Sequence, residues 1–504
     1  MASLEEIKEI RLKKLNKLRE VGVDPYPAKV SRDFDLIEVK NDFADLEKSG
    51  KEFSVAGRVM AIRGQGAIFF VVIFDGTEKI QIIIKKDEIS EDIFSLFVDT
   101  VDIGDFISVT GTALTSQRGE QSVLLKKWAM ASKSLLPLPE KWAGLQDVEE
   151  RYRKRYLDLL LNNELRDLII KKSQFWDVIR NFFKQKGFLE VETPTLELTT
   201  GGAEARPFQT HHNDFDLDMY LRISVGELWQ KRLMAAGFPK TFEIGRVYRN
   251  EGTSPEHLQE FTNLEFYWSY ADYKMGMNLV KELYKNIAQK IFGKTKFEYN
   301  GHNFDLADEW KEIDYADEIK KQTGVDITKA NEEEMKEKCG ELKITYQGEN
   351  KERLTDTLWK YCRKNISGPA FVVHHPVLVA PLAKKTSPLA SRSPLLDKER
   401  EEKGEDFSME KVQMYQPIIA GSEVGKGYSE LNDPIDQAKR FEEQGKLLES
   451  GDEEAMMPDL EFVEMLEHGM PPTCGFGFGE RLFAILANRP LRELQTFPLM
   501  RPRG

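Results

Sequence analysis

The stretch CGFGFGERL, residues 474–482, has a glycine at every second position, followed by an acid and a base. Side chains alternate between the two faces of a β-strand, so Gly475, Gly477 and Gly479 would leave one face of such a strand bare. A flat ligand could then approach the backbone closely. The stretch opens no βαβ unit and contains no Gly-Lys-Ser/Thr, so it matches neither a dinucleotide-binding fingerprint nor a phosphate-binding loop.

A second segment, FTNLEFYW at 261–268, alternates between two kinds of side chain. One set is suited to a core face and comprises Thr262, Leu264, Phe266 and Trp268. The other set combines an aromatic ring, an amide, an acid and a phenol, namely Phe261, Asn263, Glu265 and Tyr267. Such a mixture is a poor core but a good wall for a ligand.

Two further segments carry charged groups on one side of a predicted strand. In GRVYRNEG, Arg249 and Glu251 share a face, and in KGYSELND, Lys426, Tyr428 and Glu430 do so. An antiparallel sheet with one solvated face accounts for any single strand of this kind equally well. Several such strands beside a glycine-lined strand favour a binding site for a charged ligand.

The composition excludes several classes of protein. The 504 residues include three cysteines without a Cys-x-x-Cys pair, which argues against a disulfide framework and a structural zinc site. No apolar run approaches the roughly 20 residues of a membrane span, and the charged N-terminus lacks a signal-peptide core. We therefore expect a cytoplasmic protein. The net charge of −13 argues against indiscriminate nucleic-acid binding.

The pattern of apolar and polar residues changes along the chain. Short alternating runs with hairpin signals fill residues 53–130 and suit a small barrel of the OB type. The predicted fold class is α+β, with an N-terminal helical segment at 1–50, an OB-fold β-barrel at 51–134, a linker at 135–160, and a mixed domain at 161–504 with charge-rich insertions near 305–365 and 385–410.

Barrels of the OB type commonly bind single-stranded nucleic acid by stacking bases on aromatic rings and tracking phosphates with cations. Phe70, Arg58 and Gln81 are suitable side chains for this task. A barrel without a ligand, whose aromatic side chains simply form its core, is equally compatible with this segment alone.

Three segments, in order, resemble the signature motifs of the class II aminoacyl-tRNA synthetases. FLEVETPTL at 188–196 resembles the first motif, GRVYRNEG and EFTNLEFY within 245–267 the second, and GFGFGERL at 475–482 the third. Other segments, including GGAEARPFQTHHN at 201–213 and GYSELNDPIDQAKRF at 427–441, resemble the lysyl-tRNA synthetases within that class. The resemblance covers nearly the whole chain apart from the two insertions.

This resemblance implies an architecture and a reaction. The barrel would bind the anticodon, and residues 161–504 would form a catalytic domain with a six- or seven-stranded antiparallel sheet flanked by helices. The chain would form a homodimer. With Mg²⁺, it would join L-lysine and ATP into lysyl-adenylate and then transfer lysine to the 3′ end of tRNA(Lys).

The resemblance also assigns residues to each ligand. The catalytic cations would be Arg249 and Arg481. The ATP site would comprise Arg249, Glu251, His257, Phe261, Glu423 and Arg481, with adenine between Phe261 and Arg481. The lysine site would comprise Gly202, Glu227, Arg249, Glu265, Tyr267, Lys426, Tyr428 and Glu430. The metal would meet Glu423 and Gln416, and the anticodon would meet Arg58, Phe70, Gln81 and Glu120.

Within the lysine site, charge alone is informative. By resemblance, Glu227, Tyr267 and Glu430 would take the ε-ammonium, and Glu265 would take the α-amino group with the Gly202 carbonyl. Acids and a phenol suit an ammonium group, whereas a pocket for aspartate needs cations.

The sequence departs from the family pattern at several positions. Lys426 replaces an asparagine, Gln416 replaces a metal-binding glutamate, and Glu256 replaces an arginine. One extra residue precedes Glu227, and the third motif is one residue short before Glu480. A neutral amide in place of a carboxylate weakens metal binding.

Three alternatives stay open from the sequence. A sister enzyme for aspartate or asparagine would explain Lys426. A lysine ligase that modifies a protein would leave the barrel without a task. A non-catalytic tRNA-binding paralogue would explain Gln416 and Glu256.

Overall fold

The computed structural model describes residues 3–139, 145–203, 205–252, 257–346, 348–386, 410–449 and 455–503. The chain forms two compact units, Met1–Leu161 and Asn162–Gly504. Most of the predicted insertion near 385–410 lies outside the described ranges, as do Glu256 and part of the predicted linker. In the ranges that the structure covers, no helix has both the length and the apolar character needed to cross a membrane.

The first unit begins with a capped helix. The Ser3 hydroxyl accepts a hydrogen bond from the backbone N–H of Glu6, and the Glu6 carboxylate accepts one from the backbone N–H of Ser3. The helices of this unit are α1 (Leu4–Glu20), α2 (Leu36–Asn41), α3 (Phe43–Ser49), α4 (Glu91–Thr100), α5 (Val148–Arg153) and α6 (Arg155–Leu161). The last two lie in the segment predicted as a linker.

Five strands of the first unit close into a barrel in the order β1-β2-β3-β5-β4. They are β1 (Phe53–Gln65), β2 (Ile68–Phe74), β3 (Lys79–Lys85), β4 (Phe106–Thr115) and β5 (Gln121–Ser132). Alternate residues such as Val71 and Ile73 fill the interior and are fully buried. At Gly111, where the β4–β5 register shifts, a Cβ would lie 2.0 Å from the Leu124 carbonyl oxygen. The predicted OB-type barrel is confirmed.

The second unit opens with a long amphipathic helix that Asn162 caps. Its helices are α7 (Asn163–Gln185), α8 (Glu227–Ala235), α9 (Tyr273–Ile287), α10 (Tyr315–Thr323), α11 (Glu332–Glu341), α12 (Lys351–Arg363), α13 (Pro434–Glu449), α14 (Leu460–His468) and α15 (Arg481–Ala487). Its strands are β6 (Leu189–Glu190), β7 (Leu196–Glu197), β8 (Gln209–His212), β9 (Leu217–Leu221), β10 (Lys240–Tyr248), β11 (Glu260–Ser269), β12 (Lys296–Tyr299), β13 (His302–Asp305), β14 (Lys311–Asp314), β15 (Ala370–Val373), β16 (Met414–Ile419), β17 (Ser422–Glu423), β18 (Lys426–Ser429) and β19 (Thr473–Gly479).

Nine of these strands form one sheet, in the order β14-β15-β16-β18-β19-β11-β10-β6, with β17 paired to β16. The six strands from β15 to β10 run antiparallel to their neighbours, as predicted. The sheet is larger than expected because β14 and β6 add parallel strands at its two edges. Within the segment FLEVETPTL, the strand β6 that joins this sheet is only two residues long.

One face of this sheet packs on α7, α9 and α15. Its core contains Phe175, Phe183, Leu264, Phe266 and Phe476, all nearly or fully buried. The predicted core face of β11 is therefore confirmed. The opposite face carries the space above the glycines of β19 and the polar residues considered next.

The charge-rich segment near 305–365 folds as part of this unit. Helices α10 to α12 bury a cluster of their own, with Ile319, Leu354, Leu358 and Trp359 among its members, against β15 and β16. Its strand β14 forms one edge of the large sheet. Its interpretation as an insertion stays a prediction.

Candidate active site

The site lies on the second face of the sheet, where β11, β19 and β18 are neighbours. In the strand register, Glu265 and Tyr267 stand opposite Gly477 and Gly475. On the other side of the glycine strand, Lys426 stands opposite Gly477 and Tyr428 opposite Gly475. The sheet thus brings together the charged faces that the sequence placed on separate strands.

The glycines make room for neighbouring side chains. A Cβ on Gly475 would lie 2.2 Å from Oε1 of Glu430 and 2.6 Å from a ring carbon of Tyr267. A Cβ on Gly479 would lie 3.4 Å from the ring of Phe261. Because these glycines have no side chains, Glu430, Tyr267 and Phe261 can pack directly against the backbone of β19. The sequence alone did not indicate this packing.

Three buried carboxylates line this region. Glu227 is the first residue of α8, and the preceding Gly226 adopts a positive φ of 66°. A Cβ on Gly226 would lie 2.1 Å from the Thr193 hydroxyl, so the close approach requires glycine. Glu265 and Glu430 come from the sheet, and all three acids are at most 6% exposed.

A lysine of the chain itself occupies the space between two of these acids. Nζ of Lys231 lies 2.7 Å from Oε1 of Glu227 and 2.6 Å from Oε2 of Glu430. Tyr428 donates a hydrogen bond from its hydroxyl to the same Glu227 oxygen. Lys231 is 1% exposed, and its pKa is raised because the attraction of both acids outweighs burial. Sequence analysis missed this residue, although its four-residue spacing from Glu227 on a helix was a signal.

The remaining acid is held by hydrogen bonds. Glu265 Oε1 accepts the backbone N–H of Val225 at 2.7 Å, and Oε2 accepts the Tyr267 hydroxyl at 3.0 Å. Burial raises the pKa of Glu265, and the nearby Glu227 carboxylate raises it further. Gly202 borders the same group, since a Cβ there would lie 2.7 Å from Oε2 of Glu227.

Two arginines lie beside the acids. The Arg249 guanidinium is 5.3 Å from the centre of the Phe261 ring and donates to the Ile223 carbonyl at 3.4 Å. Among the described residues, its buried Nε has no hydrogen-bond partner. Burial lowers the pKa of Arg249. The nearby Glu251 and Glu265 carboxylates oppose that shift, whereas the positive charge of Arg481 adds to it.

The other predicted ATP residues are placed as follows. Arg481 donates from Nη1 to the backbone carbonyl of Glu423 at 3.2 Å. Glu251 lies close enough to influence Arg249 electrostatically. His257 is exposed, directly after a stretch outside the described ranges. Lys426 is also exposed, at the start of β18.

The residues predicted to bind the anticodon lie in the barrel of the first unit. Arg58, Phe70 and Gln81 share the outer face of β1, β2 and β3, with Phe70 37% exposed. Gln81 donates to the Ser122 hydroxyl at 2.9 Å, and Ser122 donates to the carbonyl of Glu120 at 2.9 Å. The structure thus gathers the four predicted anticodon residues on one side of the barrel.

Comparison with known families decides the class. The model described as tRNA synthetases class II (D, K and N) matches residues 147–501, and that of an OB-fold nucleic acid binding domain matches 53–130. The chain belongs to the class II tRNA synthetases (D, K and N).

Curated relatives of this synthetase cover its full length. The chain is 40% identical to the lysine--tRNA ligase of Thermotoga maritima, over 99% of this chain and 97% of the relative. It is 40% identical to that of a Roseiflexus species, over 99% of both chains. It is 41% identical to that of Listeria innocua, over 98% of this chain and 97% of the relative.

The two residues predicted to meet a metal, Gln416 and Glu423, both contact other side chains of this synthetase. Gln416 is neutral, and its Oε1 lies 2.9 Å from Nε2 of the buried His375. Glu423 accepts the indole N–H of Trp359 at 2.7 Å, with Arg363 at 3.7 Å. Mg²⁺ prefers carboxylate oxygens, and of these two side chains only that of Glu423 is a carboxylate. The described part of the chain contains no cluster of three or more metal-binding side chains.

Proposed function

We infer that this synthetase is a lysine--tRNA ligase that activates L-lysine with ATP and transfers it to the 3′ end of tRNA(Lys). The buried acids around Lys231 support this inference, because the fold already holds an ammonium group there. The ammonium of Lys231 lies between 5.6 and 6.0 Å from the ring centres of Tyr428, Phe462 and Tyr267. Acids and aromatic faces are the groups that recognise an ammonium ion.

The first step joins the amino acid to the nucleotide. A carboxylate oxygen of lysine attacks the α-phosphorus of ATP, the bond to the β-phosphate bridging oxygen breaks, and pyrophosphate leaves. Arg249 is suited to hold the attacking carboxylate and the α-phosphate, since its guanidinium is planar and its Nε–H is unpaired within the described chain. Phe261 and Arg481 would flank the adenine ring.

The second step moves lysine to the tRNA. A terminal ribose hydroxyl attacks the carbonyl carbon of the adenylate, loses its proton, and AMP leaves. ATP is a substrate of both the family and this chain. Mg²⁺ would enter with the ATP and would meet Glu423, while the neutral Gln416 would contribute only weakly. An enzyme of translation is expected in the cytoplasm.

An amino-acid-dependent exchange of pyrophosphate into ATP tests the proposal. We expect exchange with lysine and none with aspartate or asparagine, because neither of these two side chains carries an ammonium group to compensate the buried acids. Exchange with aspartate but not lysine would overturn the pocket assignment. No exchange with any of the three would favour the non-catalytic paralogue.

Replacing Phe70 in the barrel tests the anticodon assignment. Phe70→Ala should lower kcat/KM for tRNA(Lys) by about 10- to 100-fold, because one base loses its stacking partner. The lysine-dependent exchange should stay within about twofold. Val98→Ala is a suitable control, since Val98 is similarly exposed at 40% but lies on α4. Loss of both reactions would mean that Phe70 is structural.

A homodimer is expected from exposed apolar side chains in the segment around the first motif. They are Leu189 at 49%, Leu196 at 42%, Leu198 at 56%, Phe215 at 71% and Leu217 at 39% exposure. Large apolar side chains exposed in such number along one part of the chain favour a protein interface there. Sedimentation should give twice the chain mass of 58.0 kDa. The pair Leu198→Glu and Phe215→Glu should give a monomer, whereas Ile435→Glu on α13 should not. A monomeric unaltered protein would refute the dimer.

A further inference from the structure

The charged groups of the lysine pocket divide into two balanced sets. At one end, Glu265 and Arg249 are a carboxylate and a guanidinium, which match the α-ammonium and the carboxylate of an amino acid. At the other end, Glu227 and Glu430 are two carboxylates, whereas a lysine side chain brings one ammonium. Without a further cation, one buried acid would stay uncompensated, which is costly.

Lys231 supplies the missing cation. It bridges the two acids at 2.7 and 2.6 Å and is buried to the same degree as they are. With both acids ionised, the set of Glu227, Lys231 and Glu430 carries one net negative charge, which equals the charge of one incoming ammonium in magnitude.

The bridge also fixes the direction of Glu430. Its Oε2 faces Lys231, while its Oε1 projects over Gly475, at 2.2 Å from the position that a Cβ would take. Glu227, in contrast, uses its Oε1 for both Lys231 and the Tyr428 hydroxyl. One acid is thus turned toward the glycine strand and the other is anchored to the helix.

We propose that Lys231 is a positioning and specificity-determining residue, which neutralises one acid of the pocket and holds Glu430 so that a single carboxylate oxygen meets the substrate ε-ammonium. This inference rests on the proposed function and deepens it. Glu227 then acts on the substrate mainly through Lys231, because it sets the net charge of the pocket, and less by direct contact.

Charge balance predicts that a second substitution partly restores the lysine binding that a first one weakens. Glu227→Gln leaves Glu430 and Lys231 as a neutral pair, so KM for lysine should rise about 100-fold. When lysine binds to this variant, the site holds two ammonium groups and one carboxylate. Adding Lys231→Met leaves Glu430 to pair with the substrate ammonium alone, so the double variant should recover at least about fivefold of that loss. KM for ATP should stay within about threefold in both.

The matched control is Lys133→Met in the barrel. Lys133 is also buried between two acids, with Nζ 2.6 Å from Asp102 and 2.8 Å from Asp105, but it lies in the other unit. The Lys133→Met variant should have a lower midpoint of thermal unfolding and an unchanged KM for lysine. If the double variant at 227 and 231 binds lysine no better than Glu227→Gln alone, Lys231 is a packing residue and the proposal is wrong.

A structure of the unaltered enzyme with lysine gives an independent readout that needs no variant. Lys231 should stay between the two acids, and the substrate ammonium should contact Oε1 of Glu430. Displacement of Lys231 by the substrate would overturn the proposal. If the unaltered enzyme exchanges pyrophosphate with lysine but KM for lysine does not recover in the double variant, only this inference is contradicted. Lysine binding by calorimetry without exchange contradicts the proposed function alone.

Discussion

Glu430→Gln is expected to raise KM for lysine by about 100-fold or more while KM for ATP stays within about threefold. Glu430 is 2% exposed, and its two oxygens face Lys231 and the space over Gly475. An amide in its place removes the charge that both ammonium groups share, and truncating one partner of a buried charge pair costs about 2–5 kcal/mol. Initial rates of pyrophosphate exchange over a lysine series would measure the effect.

The control for this prediction is Glu243→Gln. Glu243 is equally buried in the same sheet and pairs with Arg222 at 2.6 Å, but no role in substrate binding is assigned to it. It should destabilise the fold and leave KM for lysine within about threefold. An equal rise of both KM values in Glu430→Gln would contradict the pocket.

The pH dependence of KM for lysine in the unaltered enzyme provides a second test of the role of Glu430. Burial raises the pKa of Glu430, and Lys231 only partly opposes that shift. The acid must be ionised to bind an ammonium, so KM for lysine should rise as the pH falls through the neutral range. This dependence should be weaker in Glu430→Gln.

Arg249→Lys is expected to lower kcat for adenylate formation by about 10³-fold, because a point charge cannot reproduce a planar fork that spans a carboxylate and a phosphate. The position of Arg249 beside Phe261, with an Nε–H that is unpaired among the described residues, supports this role. Single-turnover formation of the adenylate would isolate the chemical step.

Arg246→Lys serves as the matched control. Arg246 lies three positions earlier and pairs with Thr262 on the opposite face of the sheet. It should leave the adenylation rate within about threefold. A loss of less than about tenfold in Arg249→Lys would mean that Arg249 only contributes to binding.

Much of the catalytic sheet was predictable because strand alternation is a strong constraint. A one-residue shift of β11 would turn Phe266 outward and Glu265 into the core, so its two faces could be assigned from the residue types alone. The barrel was predictable for the same reason. The lengths of the edge strands were not, since β6 owes its pairing with β10 to tertiary contacts.

The pairings inside the site were harder to predict. Glu227 and Lys231 have the spacing of an ordinary surface pair on a helix, and only the packing of α8 on β11 and α14 buries them. Gln416 meets His375 across 41 positions of sequence, because β15 and β16 are neighbours. Both pairings depend on long-range contacts that no local pattern encodes.

The resident ammonium has a consequence for anyone who wishes to charge tRNA with modified lysines. A derivative acylated on its ε-nitrogen is neutral, so widening the cavity at Tyr428 would not suffice. Glu227, Lys231 and Glu430 would have to be exchanged for uncharged side chains as a set, since replacing one or two of them leaves buried charges beside a neutral substrate side chain.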